Sequence, residues 1–487
     1  MTRGPALAPS KVEAGGARGL TFDRMAVGLL FVGIAVVAAL TPAQNDTFWH
    51  LRAGADIWAT GRVPRVDSYS YTAAGAPWPD HEWLAQALMY GVYRAGGMPG
   101  LELGAAALLL ATAATIYRLM VGPRLTRFAL LAIGLAISSC VWTLRPQILS
   151  LLLLVVLVWL LARDRFVVIP PLFLVWANAH GGVALGGWVL LVATAAAIGR
   201  ASIVGGAGDQ RRAAALALVL PASGLAVTAT PLGWGIFHFV VASTARSIGA
   251  QISEWYAPRP DTVVGAAFWA AALALVGLCL VRRHALAGGD WTDWVVVAAA
   301  WALLPFAMRS LRNVGPFLTL ATPAASRCLG PQFRLRFGRG LRAASPDHPD
   351  ANRSLLVAAG LTALAIVPLI WKSAAERLGW RPIGDGALAA LRACPGRLYN
   401  QYDDGGTLVW FAPDKPVFID GRQDPYPPSF LQQDLAIERG APYRSLFERY
   451  RIGCAFLPSS SAMASRLRAD GWRPRFGDDR WTVLEAP

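Results

Sequence analysis

Residues 22–50 read FDRMAVGLLFVGIAVVAALTPAQNDTFWH. After Asp23 and Arg24 the first twenty positions are uncharged and mostly aliphatic. That is about the length needed to cross a bilayer and too long for the apolar core of a secretion signal. No small-residue cleavage site follows, so the run is expected to be retained as a first span. Just beyond it stand Asp46, Phe48, Trp49 and His50. A carboxylate directly after a span, followed by aromatic residues, is unusual for an ordinary connecting loop.

Ten further apolar runs follow, at 99–119, 125–142, 146–162, 166–179, 183–199, 212–230, 262–281, 291–308, 313–328 and 354–371. The whole chain is 55% hydrophobic and only 15% charged, where soluble domains carry about 25% charge. A soluble enzyme, a secreted disulfide scaffold and a disordered or collagen-like chain are excluded. The expected class is a polytopic α-helical membrane protein of about eleven spans, with a small C-terminal extracytoplasmic α/β domain. Three segments are expected: a disordered cytoplasmic tail over 1–20, a transmembrane domain over 21–371 and the α/β domain over 372–487. The shortest span, at 166–179, contains Pro170-Pro171.

The net charge is +15, from 45 basic and 30 acidic residues. In a soluble protein this would suggest nucleic acid; in a membrane protein Lys and Arg gather on cytoplasmic segments. Their positions support the second reading, and no nucleic-acid partner is expected. With the N-terminus inside, cytoplasmic segments hold Arg3, Lys11, Arg18 and Arg24, then Arg118, Arg124 and Arg127. Arg163 and Arg165, Arg200, Arg211 and Arg212, and Arg282 and Arg283 mark the next three turns. Arg327, Arg334, Arg336, Arg339, Arg342 and Arg353 mark the last. An odd span count then places the 42–98 loop and the C-terminal segment outside, in a bacterial inner (plasma) membrane protein.

The C-terminal segment alternates short β-like runs, at 398–402, 417–420, 455–458 and 481–484, with helical patterns such as 429–439 and 459–469. That alternation is an α/β signature. Of five cysteines, Cys140, Cys279 and Cys328 lie in or beside apolar spans. Cys394 and Cys454 can pair, though spacing does not require it. No CxxC or Cys/His cluster signals structural zinc.

The 42–98 loop is the most informative stretch. Phe48, Leu51, Ala55 and Trp58 recur at helical spacing, and a second amphipathic pattern runs over 82–94. Both suit helices lying in the membrane interface. The loop also gathers Asp46, Asp67, Asp80, His81 and Glu82. Carboxylates at a membrane surface can act as a general base or coordinate a divalent cation. Asp46, Asp80, His81 and Glu82 are the candidate metal ligands. The plain alternative is a solvated loop of caps and salt bridges. Near the outer ends of spans lie Arg145, Asn178, His180, Glu254, Arg309 and Arg312. Arginine there opposes the topological bias and is costly without a partner. Its planar fork of donors suits phosphate, although an arginine snorkelling to the interface meets the same description. The turn 420–424, Asp420-Gly421-Arg422-Gln423-Asp424, reads as a strand end with exposed charge or, slightly favoured, as a capped and salt-bridged loop.

These residues resemble the GT-C superfamily of membrane glycosyltransferases, which includes protein mannosyltransferases, lipid A aminoarabinose transferases and oligosaccharyltransferases. The carrying features are the long first span, Asp46-Thr47-Phe48-Trp49-His50-Leu51, Asp80-His81-Glu82-Trp83-Leu84, Arg145-Pro146-Gln147, Trp176-Ala177-Asn178-Ala179-His180-Gly181-Gly182 and Phe418-Ile419-Asp420-Gly421-Arg422. The resemblance is nearest to a poorly characterised bacterial subgroup. It implies transfer of a sugar from a polyprenyl-phosphate or -diphosphate donor to an acceptor at the extracytoplasmic face, with inversion. Asp46 would be base or metal ligand, and Asp80 or Glu82 a second carboxylate. Arg145, Arg309 and Arg312 would bind donor phosphate, and His50, His81, Asn178, His180 and Glu254 would be accessory. The loop lacks the paired acidic residues of many members at its start, and Trp-Trp-Asp-Tyr-Gly is absent. Transfer to asparagine is therefore disfavoured. Two rival functions share the scaffold: a non-catalytic binder or transporter of polyprenyl-linked sugars, and a polymerase or ligase like those of O-antigen.

Overall fold

A computed structural model describes residues 19–249, 253–333 and 348–487. Nearly all of the tail expected over 1–20 lies outside the described residues. So do the topological markers Arg3, Lys11, Arg18, Arg334, Arg336, Arg339 and Arg342.

The chain begins with α1 (Phe22–Ala38), α2 (Asn45–Thr60) and α3 (Trp83–Leu119). Then come α4 (Arg124–Ser138), α5 (Gln147–Ala162), α6 (Ile169–Ala179), α7 (Val183–Val204), α8 (Ala207–Val227) and α9 (Gly235–Gly249). They are followed by α10 (Val263–Val281), α11 (Arg283–Ala287), α12 (Trp291–Arg309), α13 (Val314–Leu329) and α14 (Pro349–Ala374). Each of the eleven expected apolar runs coincides with a helix. Among the described residues, six helical stretches are long and apolar enough to cross a membrane: Trp83–Leu119, Arg124–Val141, Val183–Val204, Val263–Val281, Trp291–Arg309 and Pro349–Ala374. The protein is a multi-pass membrane protein. The run at 166–179, the shortest expected span, forms a short apolar helix. Its helix α6 has 11 residues and rises only ~17 Å, well short of a ~30 Å hydrocarbon core. Pro170 and Pro171 sit in its first turn, where a missing N–H costs nothing.

α2 covers the first of the two amphipathic patterns of the 42–98 loop. It begins at Asn45, and the Thr47 hydroxyl accepts the Gln44 N–H at 3.0 Å. The second interfacial pattern and the span at 99–119 form one long element, α3. It is broken at Gly97 (φ 60°, ψ −153°), just before Pro99. Only glycine adopts that backbone readily, and proline then starts the second half. Phe48 and Leu51 of α2 join the main apolar core with α3, α5, α12 and α13.

The C-terminal domain contains α15 (Asp385–Ala393), α16 (Gly405–Phe411), α17 (Pro428–Glu438), α18 (Arg444–Tyr450) and α19 (Ala462–Ala469). Its sheet has β1 (Arg397–Tyr399), β2 (Ile452–Pro458), β3 (Arg473–Gly477) and β4 (Trp481–Glu485), in the order β1-β2-β4-β3. β1 and β2 are parallel and the other pairs antiparallel. The runs expected at 398–402, 455–458 and 481–484 are thus strands with shifted limits. β3 escapes sequence reading because Arg473, Pro474 and Arg475 give it the charge and proline of an edge strand. The run at 417–420 is not a strand. It makes a single bridge from Val417 to Ser70, because its partner is the first loop and not the sheet. A Cys394–Cys454 disulfide joins the end of α15 to β2.

Loop and domain are bound to each other. Val417 N donates to Tyr69 O at 3.0 Å and Tyr71 N to Val417 O at 3.1 Å. Thr407 N donates to Asn45 Oδ1 at 2.9 Å. Gly406 lies where a Cβ would stand 2.6 Å from Asn45 O and 2.8 Å from the Trp49 ring. The sheet domain therefore rests on the N-terminal turn of α2.

Candidate active site

A cavity of about 1180 Å³ opens where α2, the 78–82 segment before α3, the α4–α5, α6–α7 and α12–α13 turns, the 254–257 segment and the 421–424 turn of the C-terminal domain meet. Asp46, His50, Asp80, His81, Glu82, Arg145, His180, Glu254, Arg309 and Arg312 all line it. Ten of the eleven residues singled out from sequence are brought together. The eleventh, Asn178, is not. Its amide accepts from Trp83 Nε1 at 2.8 Å and donates to Ala229 O at 2.9 Å, tying α6 to α3 and α8 as a strut.

At one side Asp46, in the first turn of α2, pairs with Arg145 of the α4–α5 turn. Asp46 Oδ1 also accepts Trp49 Nε1 at 3.1 Å. Arg145 is fully engaged: Nε donates to Thr143 Oγ1 at 3.0 Å, Nη1 to Asp46 and Nη2 to Glu254 at 2.9 Å. Burial pushes the Asp46 carboxyl above its ordinary value, against the pull of Arg145 and Trp49. Burial also opposes ionisation of Glu254, but Arg312 and Arg145 hold it below the usual carboxylate range. Arg312 is only loosely held, 3.9 Å from Glu254 and stacked 5.1 Å from the Trp255 ring. Arg309 is exposed and has no ion-pair partner among the described residues. The structure thus divides the three arginines. Arg145 organises Asp46, while Arg309 and Arg312 retain donors for an anion.

Deeper in, three imidazoles surround Glu82. His50 Nε2, His81 Nε2 and His180 Nε2 lie 3.6, 3.6 and 3.5 Å from its carboxylate oxygens. Burial works against every charge here, yet Glu82 is held well below the usual carboxylate range by His180, His81 and His50. Burial alone would depress His81, but Glu82 lifts it to about 9. His50 and His180 are pushed down to about 3 and about 4, chiefly by burial. One imidazolium therefore balances one carboxylate at neutral pH, with two neutral histidines beside them.

The donor set does not fit a resident divalent cation. His180 Nδ1 accepts the Gly182 N–H at 2.9 Å, so neutral His180 carries its hydrogen on Nε2, toward Glu82. That nitrogen has no lone pair for a metal. Each Asp46 oxygen already accepts a hydrogen bond, and Glu82 is balanced by His81. Among the described residues no group of three His, Cys, Asp or Glu side chains could hold a metal ion.

The 421–424 turn closes the wall. Of the two readings of this turn the structure shows the salt-bridged loop, with Asp420 and Arg422 buried. Arg422 bonds Asp67 and Asp420, with side chains 0% exposed, and lies between the Tyr69 and Trp78 rings at 4.6 and 4.5 Å. Asp67, one of the acidic residues gathered in the first loop, is part of this lock between loop and domain. Gly421 packs on Asp46 itself: a Cβ there would stand 2.3 Å from Asp46 Oδ1. Gly421, Trp49, Trp78, Trp255 and Tyr256 are site residues that sequence reading did not single out. The aromatic density of the loop hinted at Trp49 and Trp78 alone.

No protein-family model matches this sequence, and no curated protein is similar to it. Solved structures do share its fold. The archaeal oligosaccharyltransferase AglB from Archaeoglobus fulgidus, in complex with an inhibitory peptide and a dolichol-phosphate, superposes with a TM-score of 0.59. It covers 89% of this chain and 69% of AglB at 10% identity. ArnT from Cupriavidus metallidurans, in the apo state and bound to undecaprenyl phosphate, gives TM-scores of 0.46 and 0.47 at 14% identity. Each match covers 93% of this chain and 97% of ArnT. The chain shares its fold with the archaeal oligosaccharyltransferase AglB.

Proposed function

We propose that this protein transfers a sugar from a polyprenyl-phosphate or -diphosphate donor to a hydroxyl acceptor at the extracytoplasmic face of a bacterial inner membrane. The observation that carries the reading is the presence, in one cavity, of a half-buried first-loop carboxylate and two incompletely paired arginines. The AglB structure, with its dolichol-phosphate, supports a lipid-linked donor. The Cys394–Cys454 bridge suits an oxidising compartment, and the arginine bias puts the opposite ends of the helices inside.

Arg309 and Arg312 bind the donor phosphate and stabilise the charge that grows on it as it leaves. The acceptor hydroxyl attacks the anomeric carbon from the opposite side, the carbon–phosphate-oxygen bond breaks, and the configuration inverts. Asp46 takes the hydroxyl proton. Its side chain is 22% exposed, its pKa is raised by burial, and Arg145 and Trp49 hold it in place. Trp49, Trp78, Trp255 and Tyr256 offer apolar faces to a sugar ring. No step is routed through a metal.

The test supplies membranes containing the protein with labelled polyprenyl-phosphate sugars and follows the label. Asp46→Asn is expected to insert normally and lose transfer. Wild-type transfer by that variant would refute the role of Asp46. Donor binding without transfer in the wild-type protein would favour a binder or transporter. Loss of transfer on chelation would restore a cation to the mechanism.

A further inference from the structure

We infer that Gln423 is a specificity-determining residue for the acceptor. Its side-chain amide, presented by a left-handed backbone at the Asp46 end of the cavity, hydrogen-bonds a second hydroxyl of a polyhydroxylated, carbohydrate-like acceptor. This deepens the transfer reading and rests on it. Among the described residues three non-glycine positions have positive φ: Asp164, Gln423 and Arg451. Arg451 caps α18 and Asp164 directly follows the cap of α5, and helix ends commonly take that conformation. Gln423, at φ 59°, ends no helix; it stands in the 421–424 turn and lines the cavity. A residue with a Cβ is uncommon there unless its surroundings impose it. Here they do. Before it, Arg422 bonds Asp67 and Asp420. After it, Tyr426 N donates to Gln423 O at 3.1 Å and the Tyr426 hydroxyl to Asp420 Oδ2 at 3.0 Å. Over-determined backbone of this kind gathers at functional sites.

Its place in the cavity says which substrate it meets. Ion pairs run in a chain across the site, Asp46–Arg145–Glu254–Arg312. The Arg312 end, with Arg309, takes the donor phosphate, and the Asp46 end takes the proton of the acceptor. Gln423 belongs to the Asp46 end. Gly421 packs on Asp46 Oδ1. The Tyr402 hydroxyl donates to Gly421 O at 3.1 Å and accepts the Gln423 amide. That bond uses one N–H of Gln423. The other N–H and Oε1 have no partner among the described residues. A carboxamide sets a donor and an acceptor side by side without charge. It therefore suits neighbouring hydroxyls and does not compete with Asp46 for the attacking proton. An acceptor with a single hydroxyl would leave both groups unpaired in a closed site, which is how such sites reject an analogue.

Gln423→Gly removes the amide and frees the backbone, so it separates recognition from folding. The full chain in lipid nanodiscs receives labelled polyprenyl-phosphate sugars and graded amounts of membrane extract as the acceptor source. The variant is expected to melt no lower than wild type, because glycine adopts that backbone readily. Its KM for the donor should be unchanged. Half-maximal transfer should need about fivefold to tenfold more extract, as expected for the loss of one or two neutral hydrogen bonds. Gln423→Asn tolerates the left-handed region but reaches less far, and should fall between the two. Periodate, which cleaves neighbouring hydroxyls, should destroy the extract as an acceptor when it is applied and quenched before the donor is added. Wild-type dependence on extract in Gln423→Gly, a loss confined to the donor KM, or an extract indifferent to periodate would overturn the inference and leave transfer standing. Wild-type protein that moves no label would sink the transfer reading, and this inference with it.

Discussion

Gly421→Ala probes how the C-terminal domain reaches the reacting centre. The methyl group would stand 2.3 Å from Asp46 Oδ1 and 3.3 Å from Asn45 Nδ2, where ordinary contact begins at 3.4 Å. Asp46 Oδ1 must therefore retreat by about 1 Å, and it is the oxygen that accepts Trp49 Nε1 at 3.1 Å. A displacement of that size in a group that must meet the acceptor within hydrogen-bond reach costs about 10²-fold in rate, or ~2.7 kcal/mol of transition-state stabilisation. The cost to folding is that of modest overpacking, about 1–3 kcal/mol. The assay is transfer of labelled sugar by purified protein, with a thermal melt beside it. Gly384→Ala serves as control, since nothing lies within 4 Å of a Cβ there. A folded Gly421→Ala protein with undiminished transfer, while Asp46→Asn is dead, would refute the claim that this glycine sets the position of Asp46.

Arg309→Ala is expected to raise the KM for the lipid-linked donor about tenfold or more, because a charge-assisted hydrogen bond contributes ~1.5–3 kcal/mol. Arg309→Lys should recover part of the loss, and an unchanged KM would remove Arg309 from the phosphate site. Arg422→Met leaves Asp67 and Asp420 buried without their cation, at a cost of about 3–5 kcal/mol. Limited proteolysis should then release the C-terminal domain from the first loop. A melt and a digestion pattern like wild type would show that the lock is dispensable.

Much of the site was legible because it is local. Asp46 lies just past a span, and His81 and Glu82 are neighbours at the start of a helix. Arg145, Arg309 and Arg312 stand out as charges at the wrong membrane face. Their partners were not legible. Arg145 meets Asp46 across 99 residues and Glu254 across 109, and no periodicity encodes a contact between separate turns. Asn178 looked like the rest and proved to be a strut, since its role depends on where Trp83 and Ala229 fall. Gly421 stood out only as part of the 418–422 segment, because the reason for a glycine there is the oxygen it faces.

Hydropathy and helical spacing determined by themselves that this is a multi-pass helical membrane protein, where its apolar helices lie, and that an acidic, aromatic loop follows the first. These are properties of neighbouring residues and of the solvent each must meet. The tertiary structure decided which carboxylates are charged, which arginines are free, and that the sheet domain forms one wall of the cavity. Ionisation and pairing depend on burial and on groups brought together from seven segments, and only the packed helices set those distances.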